Sequence, residues 1–473
     1  MQNRDVPLCV DLDGTLIRTD MLLESALALV RRNPFYLFCF IVWLARGRAC
    51  LKRQIAARAD VDVTTLPYDT RVLAWLRERD DGRRRVLCTA SDQRWADAVA
   101  GHVGGFDEAI GSDGVRNLGG RGKALALCER YGERGFDYAG NAATDLHVWR
   151  HARRAIVVSA RAGVLARAQG ECEVEHVFDR QYGGWRAWLA ALRPYQWVKN
   201  ALVFVPLLAA HELFLPGVAL RGAFAFVAFC LCASAAYLLN DLLDLDADRR
   251  HPRKRTRPFA SGALPLEAGL VAAPLLTVMA FAAAFALSPT FMLLLLVYAV
   301  ATLAYSLALK RMAMLDVLTL AALYTVRIVG GAVAIPVPAS SWLLAFSMFL
   351  FFGLAMLKRY IEVRGVVAAD QTRVAGRGYG VGDLAPIRML GLGSGYVSVL
   401  VLALYINSTK SESLYRHYHL LWLLVPILLY WTSRAWLLAQ RDCMHDDPIV
   451  FALTDTVSLA ALVACAFVIT LAI

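Results

Sequence analysis

The sequence predicts a doubly wound, Rossmann-like α/β domain with a helical cap, followed by an all-α bundle of nine transmembrane helices. Three observations predict it. Charge occurs at ordinary density through residues 1–190, whereas nearly every long apolar run lies beyond Trp197. In the first part, short apolar runs ending in polar or acidic residues alternate with helical stretches, as in a sheet with crossover helices. In the second part, Lys and Arg collect in alternate loops between the apolar runs.

At 473 residues the chain exceeds what one hydrophobic core holds, so two domains are expected, 1–190 and 191–473. A hydrophobic share of 58% and a mean hydropathy of +0.48 are both high for a soluble protein. The net charge of +11 would suit nucleic acid, but the basic residues fall mainly between hydrophobic runs. That placement fits membrane topology and phosphate-bearing substrates better than a nucleic-acid groove. Ten cysteines show no zinc or redox spacing; Cys88, Cys230 and Cys232 read as small buried hydrophobes. Asp11 and Asp13 interrupt the first apolar run, so it is not a secretory signal and the front domain is expected to stay in the cytosol.

The nine expected spans run over 197–214, 217–240, 265–287, 289–308, 315–336, 340–357, 388–407, 418–438 and 449–472. Arg249, Arg250, Arg253, Lys254, Arg255 and Arg257 follow the second, and Lys310 and Arg311 the fourth. Lys358, Arg359, Arg364, Arg373 and Arg377 follow the sixth, and Arg434 and Arg441 surround the end of the eighth. The opposite loops offer only Lys410 and Arg416, so the basic loops are placed inside, in a cytoplasmic (inner) membrane. Residues 34–45 are apolar over only half a span and are expected to lie on the membrane surface, flanked by Arg31, Arg32, Arg46 and Arg48. A tenth span there would put the domain's two halves on opposite sides of the membrane.

In the front domain, PLCVDLD (7–13) is a strand that delivers two carboxylates to its end, followed by Gly14 and Thr15. One carboxylate can attack phosphorus while the second protonates the leaving oxygen, with Mg2+ assisting. DLDGTL resembles the first motif of the haloacid dehalogenase (HAD) phosphatases, which implies Asp11 as nucleophile and Asp13 as general acid/base. The resemblance also implies a phosphate-binding Thr89 at the end of RVLCTAS and a phosphate-neutralising Lys123 in RGKALAL. It implies a metal loop in DYAGNAATD, so that Asp11, Asp13, Asn141 and Asp145 would hold Mg2+, and a cap over about 20–80. Asn141 stands where the family usually has an acid, which leaves a non-catalytic, ligand-sensing domain as the alternative.

Span two ends in NDLLDLDADRRHPRKRTRP. On a continuing helix Asn240, Asp244 and Asp248 share one face, with Asp241 beside them. Acids crowded at a membrane boundary are costly without a cation between them, and metal-bound diphosphate is a natural ligand. His251, Lys254, Arg255 and Arg257 follow, suited to clamping phosphate oxygens; a plain membrane-surface basic stretch is the rival reading.

NDLLDLDAD with RPFASG resembles the UbiA superfamily of intramembrane transferases over essentially all of 191–473. LRPYQWVKN, with Lys199, looks like that family's opening motif, and Tyr305 and Lys310 in YSLALK like its YxxxLK-type pair. Where ordinary members carry a second DxxxD motif this chain has LKRYIEVRG, with Lys358, Arg359 and Glu362. That departure and the HPxKRxRP pattern resemble the branch joining polyprenyl phosphate to phosphoribosyl diphosphate; HDDPIVFALTD (445–455) is similar too. The resemblance implies Asp241, Asp244 and Asp248 as catalytic Mg2+ ligands. Arg327, mid-span, should point into the cavity.

The expected activity is therefore transfer of 5-phosphoribosyl to polyprenyl phosphate, followed by removal of the 5-phosphate in the front domain. The alternative is a prenyltransferase acting from prenyl diphosphate on an aromatic or other small acceptor, with a regulatory front domain. A transporter fits the acid segment and its basic loop less well.

Overall fold

The computed structural model describes residues 6–79, 82–181, 183–211, 215–335, 340–368, 372, 374, 376–444 and 447–473. Arg373, residues 445 and 446 of the HDDP stretch, and residues 212–214 and 336 of two expected spans lie outside them. The chain forms two compact units, Met1–Arg193 with Tyr237–Leu275, and Pro194–Ala236 with Leu276–Ile473. The segment Tyr237–Leu275 groups with the front residues through specific contacts: Arg249 meets the buried Glu24 at 2.5 Å, and Gly183 N–H donates to Ala263 C=O.

In the first unit, six parallel strands are ordered β3-β2-β1-β4-β5-β6: β1 (Leu8–Val10), β2 (Arg85–Asp92), β3 (Glu108–Ser112), β4 (Asp137–Gly140), β5 (Arg154–Val158) and β6 (Glu173–Phe178). Alternation along each strand feeds two cores. Leu8, Val10, Leu87 and Ile156 pack on one face with Leu16 and Trp95; Cys9, Cys88 and Val157 pack on the other with Leu127 and Trp149. The two cysteines behave as small hydrophobes. Strand order reverses beside β1, so the crevice between the carboxyl ends of β1 and β4 is where a doubly wound sheet binds ligands.

Between β1 and β2 run four helices, Met21–Arg32, Tyr36–Ala45, Arg48–Ala56 and Thr70–Glu78. Asp20 caps the first by accepting from Leu23 N–H. Tyr36–Ala45 buries none of its residues, and Phe38 and Ile41 are each 68% exposed.

Among the described residues, seven helices are long and apolar enough to span a membrane: Gly217–Leu243, Leu266–Leu287, Pro289–Leu307, Leu315–Ala334, Ser341–Val367, Val381–Ile406 and Tyr418–Gln440. A bent pair, Pro448–Thr454 and Thr456–Ala472, makes an eighth if it crosses as one, with a 77° break. The break has a cause. Asp455 caps the second helix of the pair by accepting from Ser458 N–H, and it is clamped by Arg434 at 2.6 and 3.0 Å.

The first expected span is not one apolar helix. Residues Pro194–Phe204 form a 3₁₀ run, and a five-residue α-helix, Val205–Ala209, follows. Pro206 has no N–H to donate and is tolerated only in a first helical turn, so the α-helix begins beside it. In the second unit Phe229, Phe291 and Tyr298 stack with Val203 and Leu207 into one core. Gly391 lets the Val381–Ile406 helix approach closely, since a Cβ there would stand 2.3 Å from the Trp436 ring.

At the amino-terminal end of β4, opposite the crevice, Asp137 is fully buried between Arg83 (2.5 Å) and Arg153 (2.6 Å). Removing the charge that two guanidiniums share is expected to lower stability by about 3 kcal/mol. Asp137→Asn in the full chain should thus show a lower urea midpoint for proteolytic protection of the first unit; an unchanged midpoint would count against this pairing.

Candidate functional site

The carboxyl ends of β1, β2 and β4 open into a cavity of about 650 Å³, lined by Asp11, Asp13, Lys52, Ser91, Lys123, Asn141 and Asp145, among others. Asp11 N–H donates to Ala139 C=O, which fixes the end of β1 against β4. Gly14 turns the chain at φ +72°, where a Cβ would lie 2.1 Å from Asn141 Nδ2; only glycine fits.

Asp11 and Lys123 are both buried, and Lys123 Nζ donates to Asp11 Oδ1 at 2.7 Å. The same ammonium meets Tyr138 Oη at 2.7 Å, and Tyr138 donates to Asp145 Oδ1 at 3.0 Å. Asp145 Oδ2 accepts from the backbone N–H groups of Asn141 and Ala142, each at 2.9 Å. Asp13 accepts from Met21 N–H (2.7 Å), Ser91 Oγ (2.8 Å) and Thr89 Oγ1 (3.4 Å). Thr89 therefore aims at Asp13.

Burial pushes the Asp11 carboxyl up to about 6, with Lys123 opposing it. Burial, then the charges of Asp20 and Asp11, push Asp13 up to about 7. The Lys123 ammonium is held charged by Asp11 and Asp145 in spite of its burial. Burial acts on both carboxyls, but Lys123 favours the ionised form of Asp11 whereas Asp20 and Asp11 favour the protonated form of Asp13, the directions that a nucleophile and an acid require.

In the acid segment the helical ladder continues, since Asp244 N–H donates to Asn240 C=O and Asp248 N–H to Asp244 C=O. The helix nevertheless breaks at Asp244 (φ −100°, ψ 16°), with Leu245–Arg250 as a separate turn. The shared face expected for Asn240, Asp244 and Asp248 is altered there. Arg257 binds Asp241 Oδ1 at 3.0 Å and Asp248 Oδ2 at 2.7 Å, so these two acids converge. Arg193 reaches the same Asp241 Oδ1 at 2.5 Å, while Asp244 meets Arg31 at 3.5 Å. Asp241 Oδ2 is buried and accepts no hydrogen bond among the described residues, leaving one oxygen with coordination capacity. Burial raises the pKa of Asp248 against the pull of Arg257, and burial with Lys254 lowers that of His251. His251, Lys254 and Arg255 are exposed and Arg257 is half-buried.

Among the described residues, no three His, Cys, Asp or Glu side chains gather as a metal cluster. The reason is visible at both aspartate groups. Lys123, Tyr138 and backbone N–H groups satisfy the first, and guanidiniums satisfy the second.

In the second unit Lys199 and Lys358 both address Asp447. Arg359, expected to bind substrate, is fully buried and ion-paired with Asp316 at 2.7 Å and with Glu362. It also donates to Tyr305 Oη at 3.2 Å, which accepts from Arg377 at 2.9 Å as well; Arg377 also contacts Lys310 C=O. Arg327 faces the interior, where Asn200 (2.7 Å), Tyr298 (2.8 Å) and Leu323 C=O accept its hydrogen bonds. Both arginines are held by protein partners.

Sequence reasoning missed Lys52 and Ser91 in the first cavity, the buried Tyr138 that holds Lys123 and Asp145, and Arg193, Asp316 and Asp447 elsewhere. Arg193 sits in the LRPYQWVKN motif and Asp447 in HDDP, so a signal for those two existed.

Comparison with known proteins adds the following. The UbiA prenyltransferase family model matches residues 201–454. Protein y4nM of Sinorhizobium fredii is 38% identical over 472 residues, covering 98% of this chain and 91% of that one. Nodulation protein NoeC of Azorhizobium caulinodans is 34% identical over 281 residues, 58% of this chain and 90% of that one. Decaprenyl-phosphate phosphoribosyltransferase of Mycobacterium tuberculosis is 39% identical over 181 residues, 37% of this chain and 59% of that one.

The raised Asp13 pKa makes a thermodynamic prediction. Folding favours its protonated form, so its stabilising contribution is complete below about pH 4 and is lost as pH rises through about 7. In the metal-free chain the thermal midpoint should fall between pH 5 and pH 8, and less steeply in Asp13→Asn. Equal slopes for the two proteins would contradict the assignment.

Proposed function

The chain belongs to the UbiA prenyltransferase family and is a multi-pass integral membrane protein, and from that premise we propose that it transfers 5-phosphoribosyl from phosphoribosyl diphosphate to polyprenyl phosphate. We propose further that the front unit, as a HAD-type phosphatase on the cytosolic side, removes the 5-phosphate from the product.

The observation that carries the reading is the Arg193–Asp241–Arg257–Asp248 cluster, two carboxylates and two forked cations within hydrogen-bond reach. Carboxylates alone repel a diphosphate; paired with guanidiniums they form a site that can hold both a cation and its phosphate ligand. The identity to a relative named decaprenyl-phosphate phosphoribosyltransferase supports the choice of donor and acceptor.

In this reading Asp241, through its free Oδ2, with Asp244 and Asp248, would hold Mg2+, which when bound neutralises charge on the departing diphosphate. Arg193 and Arg257 turn from the carboxylates to diphosphate oxygens, and the exposed His251, Lys254 and Arg255 receive the 5-phosphate end. A lipid phosphate oxygen attacks C1 of the ribose; the new O–C1 bond forms as the C1–O bond to diphosphate breaks. Lys199, Lys358, Tyr305 and Lys310 serve the acceptor. Arg327 and Arg359 act as positioning residues, since their donors are engaged by protein groups.

For the second step, Asp11 attacks phosphorus as the bond to the ribose 5-oxygen breaks and Asp13 protonates that oxygen; water, giving its proton to Asp13, then attacks the aspartyl phosphate, releasing inorganic phosphate and freeing Asp11. Lys123 neutralises charge on the phosphoryl oxygens, with Lys52 and Ser91 at the cavity wall. Asp13, Asn141 and Asp145 would complete an Mg2+ site there with Asp11.

Prenyl transfer from prenyl diphosphate to a small acceptor is the second reading, and the description of the matched family favours it. One experiment separates the two. Membranes holding the chain are given either labelled phosphoribosyl diphosphate with polyprenyl phosphate, or labelled prenyl diphosphate with candidate aromatic acceptors. Ribose label should enter polyprenyl lipid in the first mixture and no prenylated acceptor should form in the second, and Asp241→Asn should lower the first transfer by about 100-fold. Asp11→Asn should stop release of inorganic phosphate and let the 5-phosphate lipid accumulate. Transfer from prenyl diphosphate alone would overturn the first reading.

A further inference from the structure

Within the second unit, three charged side chains from distant parts of the chain meet on one oxygen. Lys199 comes from the Pro194–Phe204 run, Lys358 from the Ser341–Val367 helix, and Asp447 from the residue before Pro448–Thr454. Lys199 Nζ lies 2.7 Å and Lys358 Nζ 3.6 Å from Asp447 Oδ2. The other carboxylate oxygen accepts from Ile449 N–H at 3.0 Å and caps the short helix. Lys199 and Asp447 are largely enclosed, with side chains 10% and 17% exposed.

Among the described residues, two ammonium groups against one carboxylate leave this cluster with a net positive charge, and intramembrane charge of this kind marks a functional site. The match is incomplete: one oxygen serves two cations. A phosphomonoester carries about −1.5 to −2 near neutral pH and presents three oxygens, so it meets two ammonium groups better than the carboxylate does. The lysines in turn hold the Asp447 carboxyl below the usual carboxylate range in spite of its burial, so the internal contact stays charged at neutral pH.

We propose that Lys199 and Lys358 bind the monophosphate head of the lipid acceptor, and that Asp447 is an internal stand-in which this phosphate displaces. The inference rests on the reading of polyprenyl phosphate as acceptor, and it adds where that phosphate binds and what holds the site in its absence. Asp447 therefore competes with the substrate.

The test is equilibrium binding of farnesyl phosphate to the purified full chain in detergent, with farnesol, inorganic phosphate and phosphoribosyl diphosphate as comparison ligands. Asp447→Asn keeps a helix-capping side chain but removes the competing charge, and should tighten farnesyl phosphate binding about fivefold. Lys199→Gln and Lys358→Gln should each weaken it by about fivefold or more. Farnesol binding should not change in any variant. Should Asp447→Asn fail to fold, Asp447→Ser, which also caps, supplies the same comparison.

Weaker or unchanged binding in the Asp447 variant overturns the proposal. So does a pattern seen with phosphoribosyl diphosphate and not with farnesyl phosphate, which would make these lysines a donor site. If inorganic phosphate alone reproduced the full pattern, the seat would be a free-anion site and the lipid assignment would fail. The readout needs no turnover, so it is separable from the proposed activity. The expected pattern without phosphoribosyl transfer would refute only the transferase reading; transfer with flat binding would refute only this inference.

Discussion

Asp241 lies in surroundings nearly closed to water, and two guanidiniums meet a single one of its carboxylate oxygens there. An unpaired carboxylate so placed would be strongly destabilising. The pairing organises what surrounds it. Arg257 draws Asp248 to Asp241, so the basic loop after the acid segment folds back over the acids. Arg193, the last residue before the second unit begins, is tied to the same oxygen. The remaining oxygen, without a hydrogen-bond partner among the described residues, is where the arrangement is chemically incomplete. An acid that is nearly but not wholly satisfied suits a site that exchanges protein cations for a metal and phosphates.

The front unit applies the same physics to a different end. There a sheet delivers Asp11 and Asp13 two residues apart into one cavity, and the neighbours separate their behaviour. Lys123 stands against Asp11, whereas Asp13 accepts from neutral donors and has the like charges of Asp20 and Asp11 beside it, with the Lys52 ammonium also in the cavity. Asn141, a departure from the pattern that the motif resembles, lies against Gly14 with its amide pressed to the turn and its oxygen 3.4 Å from Thr15 Oγ1. It shapes the loop that presents the aspartates, whatever its part in holding a metal.

What could be read from the sequence was what local pattern encodes. The Asp11 strand end, the parallel sheet and seven of the nine expected apolar spans follow from runs of a few residues to a few tens of residues, and the structure has them among its described residues. Pro206 and Asp455 modify two expected spans through single-residue effects, a missing N–H and a helix cap, that hydropathy does not register. The face shared by Asn240, Asp244 and Asp248 presumed a continuing helix; the break at Asp244 gave Asp248 a new neighbour. The partners were least legible. Arg193 lies 48 residues from Asp241, Lys123 lies 112 from Asp11, and Lys199 lies 248 from Asp447. Arg359 read as a substrate ligand because it lies where the resembled family carries its second acidic motif, and Arg327 because a charge inside a span usually has a function. Their counter-groups Asp316 and Asn200 lie in other elements.

The most direct measurement substitutes Mn2+ for Mg2+ and locates it by anomalous scattering in the full chain crystallised with phosphoribosyl diphosphate. A manganese peak within coordination distance of Asp241 and Asp248, with diphosphate oxygens where Arg257 now meets the carboxylates, is the predicted result. Donor bound in the bundle with no metal at these aspartates would contradict the account.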